Sequence, residues 1–303
     1  MTGWCPSSRH ALADQACLNQ YLVMTNSTRP PLSTLALLGS ALLVPPVSAQ
    51  QPPPSSLAAR PIADNSFLIE EAYNQERGVV QHISVFQRAW GSAAWAFAFT
   101  QEWPLRGQRH QLSFTVPLQR VELPAGPATG LGDLAVNYRF QLLGTETRVS
   151  AAPRVSVVLP TGNEERGFGA GAPGLQVNLP VSVTLGSALV THWNAGATHT
   201  PSARDGTGAR AAVTGWNVGG SVIWLVRPAV NLLLEMAWGR TEAVVGPGQT
   251  AARETWVVNP GIRWAHDFRN GLQIVPGVAF PIGIGPSAGE RALLLYLSLE
   301  HPF

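Results

Sequence analysis

The sequence predicts an all-β protein, a closed antiparallel up-and-down transmembrane β-barrel of about 12 strands, and three observations carry that reading. Residues 175–185, LQVNLPVSVTL, place Leu175, Val177, Leu179, Val181, Val183 and Leu185 on one side of an extended chain and Gln176, Asn178, Pro180, Ser182 and Thr184 on the other. A helix would scatter these residues around its axis, and an eleven-residue strand has the length needed to cross a bilayer at a tilt. The same two-residue period recurs along the chain, with short and long connections alternating as they do between the two ends of a membrane barrel. Finally, the chain has no run of 18 apolar residues, and its 30 glycines and 25 prolines disfavour long helices.

Residues 1–49 read as an export signal behind a spurious extension. From Met24 the chain has a short basic region with Arg29, an apolar stretch at 32–44, and Val47, Ser48 and Ala49 placed for cleavage after Ala49. The preceding 23 residues have no place in such a signal, so translation from Met24 is the simplest account. Both cysteines, Cys5 and Cys17, fall in this part, leaving an exported chain whose stability must come from something other than disulfides. Residues 50–78 read as a flexible, proline-rich leader, in which residues 65–75 form a short helix or a short strand at the periplasmic mouth, or a small plug.

The barrel is assigned to residues 79–303. Its twelve strands are expected at 79–90, 93–103, 110–118, 133–142, 148–159, 175–185, 189–199, 217–226, 230–238, 256–266, 272–281 and 291–303. In the second, Trp95, Phe97, Phe99 and Trp103 oppose Ala96, Ala98, Thr100 and Glu102; in the ninth, Leu232, Leu234, Met236 and Trp238 oppose Asn231 and Glu235. Long outer loops are expected at 124–129, 161–173, 201–215, 240–254 and 283–290, whereas Gly91 and Ser92 make a short connection where a long one is due. Pro117, Pro153, Pro180, Pro260, Pro276 and Pro281 fall in or near strands, where the missing N–H calls for bulges or early strand ends. Tryptophans such as Trp193, Trp216, Trp224 and Trp264 suit an interfacial girdle.

Twelve apolar faces need either a second layer or a bilayer, and no amphipathic helix is available to cover them. The apolar side is therefore assigned to lipid. The polar side supplies the candidate lumen-lining residues Glu102, Asp133, Arg139, Arg154, His192, Asn194, Glu235 and Arg263. The six charged ones are expected to pair with each other in a narrow belt, because a lone buried charge is costly and arginine's fork engages two carboxylate oxygens.

Other chemistry has little support. A net charge of +2, with arginine as every basic residue, leaves no nucleic-acid footprint. Gly169–Gly174 has dinucleotide-turn spacing, but a strand rather than a helix follows it. Residues 285–289 match G-x-S-x-G, with Glu290 and His301 downstream, although on one terminal strand instead of separate loops. His82, His110, His192, His199, His266 and His301 make no metal-ligand spacing, so neither metal nor cofactor is called for.

The last strand alternates Leu293, Leu295, Leu297 and Leu299 with Leu294, Tyr296, Ser298 and Glu300 and ends at Phe303, resembling the terminal strand through which outer-membrane barrels are recognised for assembly. His301 stands where many such strands have tyrosine. Residues 70–84 (EEAYNQERGVVQHIS), 130–141 (GLGDLAVNYRFQ), 153–169, 191–204 (THWNAGATHTPSAR), 259–268 and 271–303 resemble the outer-membrane "transporter" family associated with meta-pathway phenol degradation. The resemblance implies a barrel in the outer membrane of a Gram-negative bacterium that passes aromatic or other apolar solutes, but carries over no functional residue. The partners expected are outer-membrane lipid, the barrel-assembly machinery acting on the strand that ends at Phe303, and a small-molecule solute. The leading function is passive uptake through the barrel; the alternative is a structural barrel or a membrane-surface hydrolase.

Overall fold

The computed structural model describes residues 66–123, 126–144 and 147–303. The signal assigned to residues 1–49 and the first part of the leader lie outside them. Among the described residues the strands are β1 (Val79–Ala89), β2 (Trp95–Pro104), β3 (His110–Leu123), β4 (Gly126–Leu131), β5 (Leu134–Phe140), β6 (Val149–Ala151), β7 (Arg154–Leu159), β8 (Gly174–Thr184), β9 (Leu189–Arg204), β10 (Arg210–Arg227), β11 (Val230–Gly246), β12 (Gln249–Trp264), β13 (His266–Asp267), β14 (Gln273–Ala279), β15 (Ile282–Gly283) and β16 (Ala292–Pro302). All pairings are antiparallel, and β16 pairs with β1 from Val79↔Pro302 to Ala89↔Ala292, which closes the sheet. Four of the barrel's staves are each broken in two, β4/β5, β6/β7, β12/β13 and β14/β15, so the sixteen segments make a closed 12-stranded barrel.

The breaks explain the prolines. Bulges or strand ends were expected at all six, yet only Pro153 and Pro281 interrupt a strand; Pro117, Pro180, Pro260 and Pro276 lie inside β3, β8, β12 and β14. In an antiparallel ladder a residue's C=O and N–H point to the same neighbour. The carbonyl of Pro117 accepts from Gly132, that of Pro180 from Ala152 and that of Pro260 from Phe280, each beside an interruption in the adjoining stave. The missing N–H of each proline thus faces the interrupted neighbour. By the same alternation from Phe280, Pro276 faces the break at Ala265.

Two outer loops expected from the sequence are strand. Residues 201–204 and 210–215 extend β9 and β10, and residues 240–246 and 249–254 extend β11 and β12, leaving tight turns at 205–209 and at Pro247 and Gly248. These extensions carry polar and charged side chains, including Arg240, Glu242, Arg253 and Glu254, because they stand clear of the apolar band. Of the loop expected at 124–129, the described residues 126–129 are likewise strand, in β4 paired with β3.

The barrel exterior is apolar. Leu175, Val177 and Leu179 on β8, Val218 and Val222 on β10, Leu234 and Met236 on β11, and Leu295 and Leu297 on β16 are all exposed, with Trp193, Trp216, Trp224 and Trp264 among them. Leu297→Arg should therefore cost ~2–4 kcal/mol near the bilayer midplane and reduce the fraction that folds. Heat-modifiable gel migration reads this, and unchanged yield would place Leu297 away from lipid.

Candidate functional site

The lumen contains the protein's own chain. Residues 66–75, expected as a short helix or strand at the mouth or as a small plug, form neither helix nor strand: they run as bends and irregular chain inside the barrel and are buried throughout. An irregular segment has backbone groups that must find partners when buried. Here the wall supplies them. Glu235 Oε1 accepts the N–H groups of Phe67, Leu68 and Ile69 at 2.9, 2.7 and 3.1 Å. Asn194 accepts from the Glu70 N–H and donates to the Glu70 carbonyl, both at 2.7 Å, as a neighbouring strand would. Ser182 Oγ accepts from Ala72 N–H at 2.8 Å, Gln141 bridges the Asn74 N–H and Ala72 carbonyl at 2.8 and 2.6 Å, and Gln111 accepts from Gln75 N–H at 2.6 Å.

The charged candidates engage this segment rather than only one another, which corrects the expected belt. Arg154 pairs with Glu70, its Nε lying 3.0 Å from each carboxylate oxygen, and also donates to Gln176 at 2.8 Å. Arg139 donates to Asn74 Oδ1 at 2.8 Å and to the Tyr73 carbonyl. Glu102 accepts from Gln111 at 2.8 Å, and Glu235 Oε2 from Asn259 at 2.6 Å. The reason is physical proximity: residues 66–75 lie between the walls, so their groups are nearer than charges across the barrel.

His192 is fully buried, with Nδ1 2.7 Å from Ser182 Oγ and its ring edge-on to Tyr73. Arg263 is buried on β12, where it and the Phe67 ring both border Gly277. Asp133 departs from expectation: it precedes β5 and binds the outer loop, accepting from Gly162 at 2.9 Å and Ala170 at 2.7 Å. Burial raises its carboxyl pKa, opposed by those two amides.

One side of the lumen is apolar. Ile83, Ile223, Leu233, Val257, Val275 and Leu294 point inward and pack with Phe67, Leu68 and Ile69. Phe67 meets Tyr296 edge-on, with ring centroids 5.4 Å apart. Gly261 and Gly277 make room for it: an added Cβ would come within 2.5 and 2.6 Å of the ring. Gly277→Ala should consequently unseat Phe67, since overpacking costs about 1–3 kcal/mol. Faster hydrogen exchange at residues 66–70 is the expected readout; unchanged exchange would mean the ring accommodates the methyl group.

Sequence reasoning missed Gln111, Gln141, Ser182, Glu70 and Asn74 as members of this site. The wall residues were on the expected polar faces and a small plug at 65–75 was one expectation, but nothing local indicated which wall groups would bind its main chain. Geometry also removes the hydrolase arrangement. Ser287 accepts from Trp256 N–H at 3.2 Å, Glu290 is 2.6 Å from Arg253, and His301 lies near the opposite end of β16. His301 instead meets His82, Nε2 to Nε2, at 3.1 Å, a pairing invisible to sequence spacing. Among the described residues no group of three or more metal-ligating side chains forms.

A closed 12-stranded antiparallel barrel, apolar outside and occupied by its own chain inside, has the architecture of an outer-membrane barrel. The solved structures it resembles include an outer-membrane channel from Pseudomonas putida F1, at 16% identity and a TM-score of 0.54, covering 77% of this chain and 98% of that one. A Pseudomonas aeruginosa FadL homologue matches at 8% identity and a TM-score of 0.39, covering 74% of this chain and 89% of that one. The first likeness is one of fold. No protein-family model and no curated protein sequence matches the chain.

Proposed function

We propose that the protein is an outer-membrane diffusion channel for small aromatic or other apolar solutes, belonging with the phenol meta-pathway transporters it resembles in sequence. The observation that carries this reading is the filling of the lumen. A barrel serving only as a scaffold would pack its interior with wall side chains. This one leaves space for a ten-residue segment attached by hydrogen bonds, and displacement of that segment would expose the apolar strip of Ile83, Ile223, Leu233, Val257, Val275 and Leu294. Such a strip favours apolar solutes, which gain by leaving water. The exposed Phe303 is left for recognition by the assembly machinery.

Uptake of a hydrophobic aromatic dye by intact cells tests the solute class. Cells producing the protein should take up dye faster than cells without it, and Leu233→Asp should lower that rate several-fold by placing charge on the strip. Equal rates for folded parent and variant would rule out an apolar route past Leu233.

A further inference from the structure

We propose that the outer rim of β1, β2, β3 and β16 binds a phosphorylated lipid headgroup in the surrounding leaflet, through Arg88 and Arg120 on either side of Trp95. Strand register sets these residues side by side. One outward row reads Leu295, Phe86, Phe97, Leu118 and Leu131, wholly apolar. The next outward row toward the β1–β2 turn reads Leu293, Arg88, Trp95, Arg120 and Thr129. Trp95 faces out, because it packs on outward Phe86 with ring centroids 5.9 Å apart, while the inward neighbours Ala89, Ala94 and Val121 form an interior cluster. The two arginines therefore stand where the lipid-facing band gives way to headgroups.

Among the described residues neither Arg88 nor Arg120 forms an ion pair, and Arg120 Nε is buried without a hydrogen-bond partner. Arg291, also outward, adds a third positive charge beside the β1–β2 turn through its backbone bond to Trp90. The outward arginine across the barrel is different: Arg240 pairs with Glu242 at 3.6 Å. A groove of about 510 Å³ opens at this rim between Arg88, Trp90, Ser92, Ala93, Glu122 and Leu293. Glu122 contributes an opposing charge, but one of its oxygens is held by the Ala93 N–H at 2.8 Å.

A phosphate monoester fits this setting. Each guanidinium can present two parallel N–H groups to phosphate oxygens, and Cα atoms two strands apart are separated by about 10 Å, so two arginines can reach one headgroup from either side. Apolar Phe86, Phe97 and Leu118 lie in the row just below to receive acyl chains.

The test uses the folded protein in neutral detergent micelles, titrated with diphosphorylated lipid A and read by native mass spectrometry. The parent should bind it, and Arg88→Gln/Arg120→Gln should bind at least tenfold more weakly, while Arg88→Lys/Arg120→Lys retains part of the affinity. Heat-modifiable migration confirms that each variant is folded; if the double glutamine variant is not, Arg88→Gln alone takes its place. Fully dephosphorylated lipid A should also bind the parent at least tenfold more weakly. Equal affinity for the folded glutamine variant, or for the dephosphorylated lipid, would overturn the site. Complete displacement of lipid by millimolar inorganic phosphate would show a free-anion site instead of a lipid one.

Discussion

Replacing Glu235 with alanine is expected to raise channel conductance sharply, because one carboxylate secures the entry of residues 66–75 into the lumen. Its Oε1 accepts three consecutive amides, those of Phe67, Leu68 and Ile69, and its Oε2 accepts Asn259. Alanine leaves all of these donors without an acceptor. A buried unsatisfied donor costs about 1–3 kcal/mol, so three amides together shift the segment by several kcal/mol toward release or hydration. Each 1.4 kcal/mol changes the seated-to-released ratio about tenfold. Glu235→Gln preserves a carbonyl oxygen at that place and should fall between the two. Single-channel recording separates the outcomes: long open dwell times for alanine, intermediate ones for glutamine and rare openings for the parent. Identical records for folded parent and alanine variant would mean these bonds do not hold the segment closed.

The second large effect is expected from Arg154→Ala. Arg154 and Glu70 are both buried, and removing the arginine strands a carboxylate on the lumenal segment. Breaking a buried ion pair by deleting one member costs about 3–5 kcal/mol. Glu70→Gln/Arg154→Met removes both charges and should recover much of the loss. Hydrogen exchange at residues 70–75 distinguishes the variants: strong deprotection for Arg154→Ala, and near-parental protection for the double variant. Equal deprotection in both would show that the segment is held by something other than charge compensation.

The strand plan is legible in the sequence because a two-residue period survives wherever one face meets lipid. β8 and the alternate leucines of β16 show it directly. The period is less informative beyond the bilayer, where β9 to β12 continue with glycine, proline and charged residues among small apolar ones and resemble loops. Inside the barrel, the polar wall and a candidate plug at 65–75 are legible but the bonds between them are not, since Gln111, Gln141 and Ser182 bind a segment 36, 67 and 110 residues away. The apolar strip did leave a local sign. Val222-Ile223-Trp224, Leu232-Leu233-Leu234 and Leu293-Leu294-Leu295 each interrupt the alternation with an apolar residue on the inward side, and Ile223, Leu233 and Leu294 are members of the interior cluster.

Planar-bilayer recording of the parent beside a variant lacking residues 66–75 tests the central claim most directly, with heat-modifiable migration establishing that both barrels are folded. The account predicts a parent that is mostly closed and a variant that conducts steadily, because the segment and its hydrogen bonds to Glu235, Asn194, Ser182, Gln141 and Gln111 fill the lumen. A folded variant as silent as the parent would contradict it, showing that the wall side chains close the barrel by themselves.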